Sequence, residues 1–126
     1  MKGLEFLFLA GGAILGAFLR YKITASSLLF NTLPVNVLIV NVIGAFILGL
    51  FIVISEQWNL DGRYSLAVAV GFCGSLTTMS SFALDSSNLL DNSQYGTLAA
   101  NILANIGLSI GALIGGKSMM SLIVNS

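Results

Sequence analysis

Four long stretches without a charged side chain are the feature that most constrains the fold of this sequence. They span residues 6–19, 23–55, 64–84 and 92–116, and charged residues bound each of them. A helix needs about 20 mostly apolar residues to cross the hydrocarbon core of a bilayer. The last three stretches are long enough, and the first becomes long enough when Leu4 is counted and Glu5 extends its charge to the interface. Because 56% of the 126 residues are hydrophobic and only 8% are charged, we predict an all-α integral membrane protein with four transmembrane helices.

The charges and the turn-forming residues set the expected bounds of these helices within one domain, residues 1–126. The bounds are about 4–19, 35–54, 65–87 and 95–116. The second stretch is longer than one span needs, and its first part contains residues typical of a loop. These residues are Ser26, Ser27, Asn31 and Pro34.

The composition argues against several classes of function. Five basic and five acidic residues give a net charge of +0, so no positive field attracts nucleic acid. The sequence has no histidine, and its single cysteine, Cys73, cannot form an internal disulfide or a cysteine metal cluster. Hydrolytic chemistry and zinc chemistry are therefore poorly supported.

The distribution of basic residues leaves the orientation in the membrane open. Four helices place Lys2, Arg63 and Lys117 on one side and Arg20 and Lys22 on the other. The positive-inside rule needs a clear excess of basic residues on one side, and three against two is a small bias. The sequence is therefore compatible with insertion both ways up and with a single orientation.

The fourth helix carries two stripes of residues spaced by four. They are the glycine stripe, Gly107, Gly111 and Gly115, and the polar stripe, Asn101, Asn105 and Ser109. An offset of two residues is about 200° around a helix, so the stripes face opposite ways. The glycine stripe, like Gly12 and Gly16 in the first helix, is typical of close helix contacts. The polar stripe is expected to face protein or water, because amides facing lipid would be unsatisfied.

The third helix contains the densest polar cluster of the chain at membrane depth, between Gly71 and Phe82. Two glycines and five hydroxyl residues fall within this segment. They predict a broken helix whose freed backbone groups face a cavity or bind an ion. Freed carbonyls favour a hard cation such as Na⁺, whereas hydroxyl and amide hydrogens favour an anion. A packing helix with hydroxyls bonded to their own backbone is the alternative.

Three further polar side chains are candidates for function. Asn41 lies in the middle of the second helix, where its amide either joins two helices or offers hydrogens to an anion. Asp85 follows Thr77 and Ser81 by eight and four residues, so we expect it on their face, in a wet vestibule or at the interface. Arg20 either extends its charge to the interface or draws anions into a vestibule.

Three motifs together resemble those of the Fluc (CrcB-type) fluoride channels, which are small four-helix membrane proteins. The motifs are Gly12-x-x-x-Gly16-Ala17-x-x-Arg20-Tyr21, Val40-Asn41-x-x-Gly44-x-Phe46-x-x-Gly49 and Gly71-Phe72-Cys73-Gly74-Ser75-Leu76-Thr77-Thr78-x-Ser80-x-Phe82. The resemblance implies a fluoride-selective ion channel, not an enzyme, that lets fluoride leave passively across the bacterial plasma (inner) membrane. It also implies an antiparallel homodimer of oppositely oriented subunits in the lipid bilayer, with two fluoride pores.

The resemblance implies roles for individual residues as well. The backbone carbonyls of Gly74 and Thr77 would hold a central structural Na⁺. Asn41 would donate hydrogen bonds to fluoride, and Phe82 would offer the positively polarised edge of its ring. The polar stripe would form a polar track along the pore with Ser81 beside it, and Arg20 would stand near the vestibule.

Two positions depart from the family pattern. Met79, which would line the pore, stands where the first of two phenylalanines usually lies, and Leu113 stands where a further hydroxyl is expected. Because some relatives are heterodimers of two unlike subunits with one good pore, these departures leave a heterodimer open.

Two other functions compete with a fluoride channel. A small multidrug-type proton-coupled exporter needs a carboxylate in the middle of the membrane, whereas Glu5 and Asp85 lie near helix ends. A non-conducting subunit of a membrane assembly would need only the glycine faces, but it would leave Asn41 and the hydroxyl cluster unexplained.

Overall fold

Four helices in the structure are long and apolar enough to cross a membrane. The structure is a computed structural model that describes residues 2–25, 29–30 and 33–125. The spans are Lys2–Thr24, Val35–Gln57, Gly62–Asp91 and Tyr95–Val124. The expected all-α architecture is confirmed, and the chain is a multi-pass membrane protein. Of the expected loop residues, Ser26, Ser27 and Asn31 lie outside the described residues.

The first, second and fourth spans are continuous α-helices. They are α1 (Lys2–Thr24), α2 (Val35–Gln57) and α6 (Tyr95–Val124), and short antiparallel strands β1 (Leu29–Phe30) and β2 (Leu33–Pro34) join α1 to α2. All three helices extend beyond the bounds expected from the charges. Backbone hydrogen bonding in a helix does not require apolar side chains, so the helices continue into the polar interface, where charged side chains reach water.

The third span is broken, as the polar cluster between Gly71 and Phe82 predicted. It consists of α3 (Gly62–Ser65), a π-helical segment (Leu66–Cys73), α4 (Gly74–Leu76) and α5 (Met79–Asp91). Thr77 and Thr78 between α4 and α5 have extended backbones, with ψ angles of 156° and 124°. We refer to these two residues as the break.

The break corrects one expectation about Asp85. Because Thr77 precedes α5, it does not share a helix face with Asp85, although their spacing of eight residues predicted one. Ser81 and Asp85 both lie on α5, four residues apart, so only this part of the predicted face exists.

Glycines allow close helix contacts in the bundle. A Cβ atom at Gly12 would collide with the backbone oxygen of Ala67, so α1 lies directly on the π-helical segment. A Cβ atom at Gly116 would likewise collide with the backbone oxygen of Phe46, which brings α6 close to α2. Backbone approach of this kind is the expected role of small residues in membrane helices.

The two stripes of α6 face opposite ways, as their offset of two residues predicted. Asn101 and Asn105 are 2% and 5% exposed. The glycine stripe is exposed, and a Cβ atom at any of its three positions would meet nothing within 4 Å. The close contact expected from this stripe is therefore absent within the described part of the chain, where Gly116 makes the contact to α2.

Adjacent glycines offer a test of this packing. We expect Gly12→Ala and Gly116→Ala each to lower the free energy of unfolding by about 2 kcal/mol, because the added Cβ atom meets backbone that moves only if a helix moves. Gly11→Ala and Gly115→Ala add a Cβ atom to open space, so we expect the free energy of unfolding to stay unchanged or to rise by up to about 1 kcal/mol, because alanine favours a helix more than glycine does. Thermal unfolding of the detergent-solubilised protein measures all four. Equal stabilities for the two members of each pair would contradict the described packing.

Candidate functional site

An open groove of about 470 Å³ lies between α2, the third span and α6. Seven of the eleven residues that the sequence analysis proposed for the site line the groove, namely Asn41, Gly74, Thr77, Met79, Phe82, Asn105 and Ser109. Apart from Thr78, the remaining lining residues are small or apolar, so the polar groups converge in an otherwise apolar surface. That arrangement is typical of a binding site.

Asn41 links the break to α6. Its Oδ1 accepts a hydrogen bond from the Thr78 N–H at 2.8 Å. Its Nδ2 donates to Asn105 Oδ1 at 3.0 Å and to the Thr78 carbonyl at 3.4 Å. Asn41 therefore makes the contact between helices that was one of its two expected roles. The bond to the Thr78 carbonyl is long and weak, so its hydrogen is the one most readily turned toward an anion in the groove.

The break removes the usual hydrogen-bond donors of two carbonyls. In a continuous α-helix, the carbonyls of Gly74 and Thr77 accept from the N–H groups of Thr78 and Ser81. Here the Thr78 N–H donates to Asn41, and the Ser81 N–H donates to Thr78 Oγ1 at 3.2 Å. Unwound backbone carbonyls of this kind are cation ligands in membrane proteins. The donor set at the break therefore fits a Na⁺ ion.

Ser109, Phe82 and Met79 line the groove with different chemistry. The Ser109 Oγ is buried and has no hydrogen-bond partner among the described residues. A buried hydroxyl without a partner is costly, which favours a ligand or water beside it. Phe82 places an aromatic ring in the lining, and Met79, which is 73% exposed, lies on its open side.

Arg20 lies outside the groove lining and contacts the chain next to the break. Its Nε donates to the Ser75 carbonyl at 2.9 Å, which ties α1 to α4. The side chain is half-buried, so it does not simply extend along the helix to the interface. This contact was not expected from the sequence, because nothing in the pattern of charges points to a carbonyl 55 residues away.

The other three candidates outside the groove lining are Ser81, Asp85 and Asn101. Ser81 contributes its backbone N–H to the Thr78 side chain at the start of α5. Asp85 is partly buried on α5 and forms no ion pair or hydrogen bond with the described residues. Asn101 is buried behind Asn105.

Four side chains form a continuous series of hydrogen bonds, which we call the amide chain: Asn41, Asn105, Asn101 and Ser86. Beyond Asn41, Asn105 Nδ2 donates to the Oδ1 of Asn101 at 3.0 Å and to its backbone carbonyl at 2.9 Å. Asn101 Nδ2 donates to Ser86 Oγ at 3.1 Å. The polar stripe thus reaches two other helices.

Thr78 and Ser86 are central to this geometry, although sequence reasoning did not single them out. A threonine three residues before Ser81 fits the preference of helix N-caps for hydroxyl side chains, and this signal identifies Thr78 in retrospect. Ser86 belongs to a run of polar residues near the end of the third span, and its type alone does not distinguish it from its neighbours.

Comparisons with known proteins agree with the motifs. The family model described as "CrcB-like protein, Camphor Resistance (CrcB)" matches residues 7–117. A protein of Nitrosopumilus maritimus (strain SCM1) named "Fluoride-specific ion channel FluC" is 80% identical over 126 residues, which cover 100% of both chains. Proteins with the same name from Koribacter versatilis (strain Ellin345) and Sulfurihydrogenibium sp. (strain YO3AOP1) are 34% and 41% identical. The alignments cover 92% and 83% of this chain and 94% and 87% of theirs. The chain therefore belongs to the CrcB-like family, and the Fluc (CrcB-type) resemblance of its motifs is confirmed.

Proposed function

We propose that this chain is a fluoride-selective ion channel that lets fluoride leave the cell passively across the plasma membrane. The names of relatives that match nearly the whole chain support this function. The observation that carries it is the convergence of Asn41, Phe82 and the unpartnered Ser109 hydroxyl in one groove of a membrane-spanning bundle. A small anion with tightly held water crosses an apolar layer only where hydrogen-bond donors replace that water.

The lining residues replace the water in different ways. The Ser109 hydroxyl donates a hydrogen bond, and Asn41 donates the hydrogen that otherwise bonds weakly to the Thr78 carbonyl. Phe82 presents its positively polarised ring edge. The N-terminus of α5 adds a partial positive charge beside the groove. Ser81, Asn105 and Asn101 extend the polar path, and Met79 borders it.

A structural Na⁺ forms part of the same proposal. Its ligands are the carbonyls of Gly74 and Thr77, and the loss of their usual backbone donors supports this assignment. The bound ion supplies a positive potential next to the groove, where low dielectric strengthens its effect on an anion.

The proposed assembly is a homodimer of two oppositely oriented subunits in the lipid bilayer. The small bias of basic residues permits insertion both ways up, and the groove is open on the surface of one chain, where a second copy can cover it. Arg20 and Asp85 are assigned to the vestibule of the pore. A heterodimer with an unlike subunit is the alternative that Met79 and Leu113 leave open.

Flux from vesicles tests the proposed function. Purified protein is inserted into liposomes loaded with potassium fluoride, and a fluoride electrode records release. Passive movement of an anion carries charge, so we expect release to begin when valinomycin lets potassium follow, and protein-free vesicles to stay full. Release that needs a proton gradient and no valinomycin would contradict the proposal and favour a proton-coupled exporter.

Sodium dependence of stability tests the proposed cation site. A ligand that binds only the folded state raises the free energy of unfolding by about 1.4 kcal/mol for each tenfold rise in concentration above its Kd. We therefore expect the thermal midpoint to rise with sodium chloride and to stay unchanged in N-methylglucamine chloride of equal ionic strength. The same midpoint in both salts would contradict the site.

A further inference from the structure

We propose that Ser86 is a positioning residue of the ion path, whose hydroxyl anchors the far end of the amide chain by holding the buried Asn101 amide in place. The proposal rests on the proposed channel function, because it assigns the path a residue that lies outside the groove lining. The observation behind it is the continuous run of hydrogen bonds from Asn41 to Ser86.

The direction of the amide chain is determined by two backbone groups. The Thr78 N–H can only donate, so the atom of Asn41 that faces it must be the oxygen, and Nδ2 must point to Asn105. The Asn101 carbonyl can only accept, so the atom of Asn105 that faces it must be Nδ2. Both constraints give the same order of donors and acceptors along the chain.

This direction matters because the two ends of an amide act oppositely on an anion. An N–H group attracts fluoride, whereas an amide oxygen repels it. The Thr78 N–H and Asn105 Oδ1 together hold the Asn41 nitrogen at the groove. If Asn105 turned, its nitrogen would face the nitrogen of Asn41 and the two donors would compete.

Ser86 supplies the last acceptor that this direction requires. Asn101 is 2% exposed, and Ser86 Oγ is the acceptor that its Nδ2 finds among the described residues. Without that acceptor, the buried amide hydrogens of Asn101 have no partner, and this cost favours rotation of the side chain. Rotation removes Oδ1 from Asn105, whose nitrogen then keeps only the backbone carbonyl of Asn101. A disturbance at Ser86 thus reaches Asn41 through two amides, and such networks strengthen cooperatively when intact.

Ser86 variants test the proposal by fluoride flux, with the adjacent exposed serine as matched control. We expect Ser86→Ala to lower the rate of fluoride release about tenfold, consistent with the loss of one buried hydrogen bond. Ser86→Thr keeps an acceptor and is expected to restore most of the rate, and Ser87→Ala is expected to match wild type. In an Asn101→Leu background, which already cuts the amide chain, Ser86→Ala should have no further effect.

A second readout does not depend on flux. The side-chain NH₂ resonances of Asn105 in ¹⁵N-asparagine-labelled protein, assigned by their loss in Asn105→Leu, report its hydrogen bonds directly. We expect them to shift in Ser86→Ala and to stay in place in Ser87→Ala.

The outcomes separate this proposal from the proposed function. If the wild-type protein releases fluoride and Ser86→Ala releases it at the same rate, the role of Ser86 is overturned and the proposed function stands. Unchanged Asn105 resonances in Ser86→Ala would have the same consequence. An additive effect in the Asn101→Leu background would also overturn it, because Ser86 would then act outside the amide chain. Wild-type protein that releases no fluoride would instead overturn the proposed function.

Discussion

Asn41→Asp is expected to lower fluoride release from vesicles by at least about a hundredfold. The aspartate places a negative charge in the groove, where repulsion between unit charges 4 Å apart amounts to about 4 kcal/mol at an effective dielectric constant of 20. It also turns the donor that faces Asn105 Oδ1 into an acceptor, so the first bond of the amide chain becomes a repulsive contact.

The chain offers a matched control for this charge. Asn59 lies between the second and third spans and is exposed, so Asn59→Asp makes the same chemical change away from the groove and is expected to leave flux unchanged. Size-exclusion chromatography of both variants shows whether the protein still assembles. An assembled Asn41→Asp variant with wild-type flux would remove Asn41 from the ion path.

Phe82→Ile is expected to lower fluoride release about tenfold, whereas Met79→Leu is expected to change it less than about twofold. Isoleucine fills part of the space of the ring but has no polarised edge, and aromatic edge interactions contribute on the order of 1 kcal/mol. Methionine has no such edge to lose, and leucine is close to it in volume.

Comparing the flux of these two variants separates a ring-edge effect from a packing effect. Both side chains line the same groove, so a general effect of altered packing would appear in both variants. A larger loss in Met79→Leu than in Phe82→Ile, measured with the same electrode recording, would move the ring-edge role away from Phe82.

Features of the sequence that reflect the surrounding lipid predicted much of the fold. Uncharged stretches identified the four spans because a charge is costly in the hydrocarbon core. The glycines and hydroxyls between Gly71 and Phe82 identified the break, since backbone groups freed there need partners other than lipid. The offset of two residues on α6 predicted that its two stripes face opposite ways, and the cost of an unsatisfied amide in lipid predicted that the polar stripe faces away from lipid.

Features that depend on tertiary contacts were not predictable in this way. A spacing of four residues is the same in a glycine face that contacts a neighbouring helix and in one that does not. Only the approach of α2 shows that Gly116, and not the glycine stripe, makes the contact. The link between Arg20 and the Ser75 carbonyl joins groups 55 residues apart, with no periodic signal. The π-helical segment likewise has no sequence pattern that separates it from an α-helix of the same apolar residues.

The candidate site was predictable as a set of residue types more than as a geometry. The polar stripe, Asn41 and Phe82 were selected from their chemistry and from the family resemblance, and the structure brings most of them to one groove. The orientation of the amides depends instead on two backbone groups, the Thr78 N–H and the Asn101 carbonyl. Backbone hydrogen bonding at a break cannot be inferred from side-chain identity. Ser86 had no signal in the sequence because no pattern of residues indicates that its hydroxyl lies opposite Asn101.

We propose that hydrogen-bond donors in the groove replace the water of fluoride and fail to do so for a larger halide. Parallel release of fluoride and chloride from vesicles that contain the same amount of this protein, each recorded after addition of valinomycin, tests this directly. We expect fluoride to leave while chloride stays trapped. Vesicles that keep their fluoride, or that lose both ions at the same rate, would contradict it.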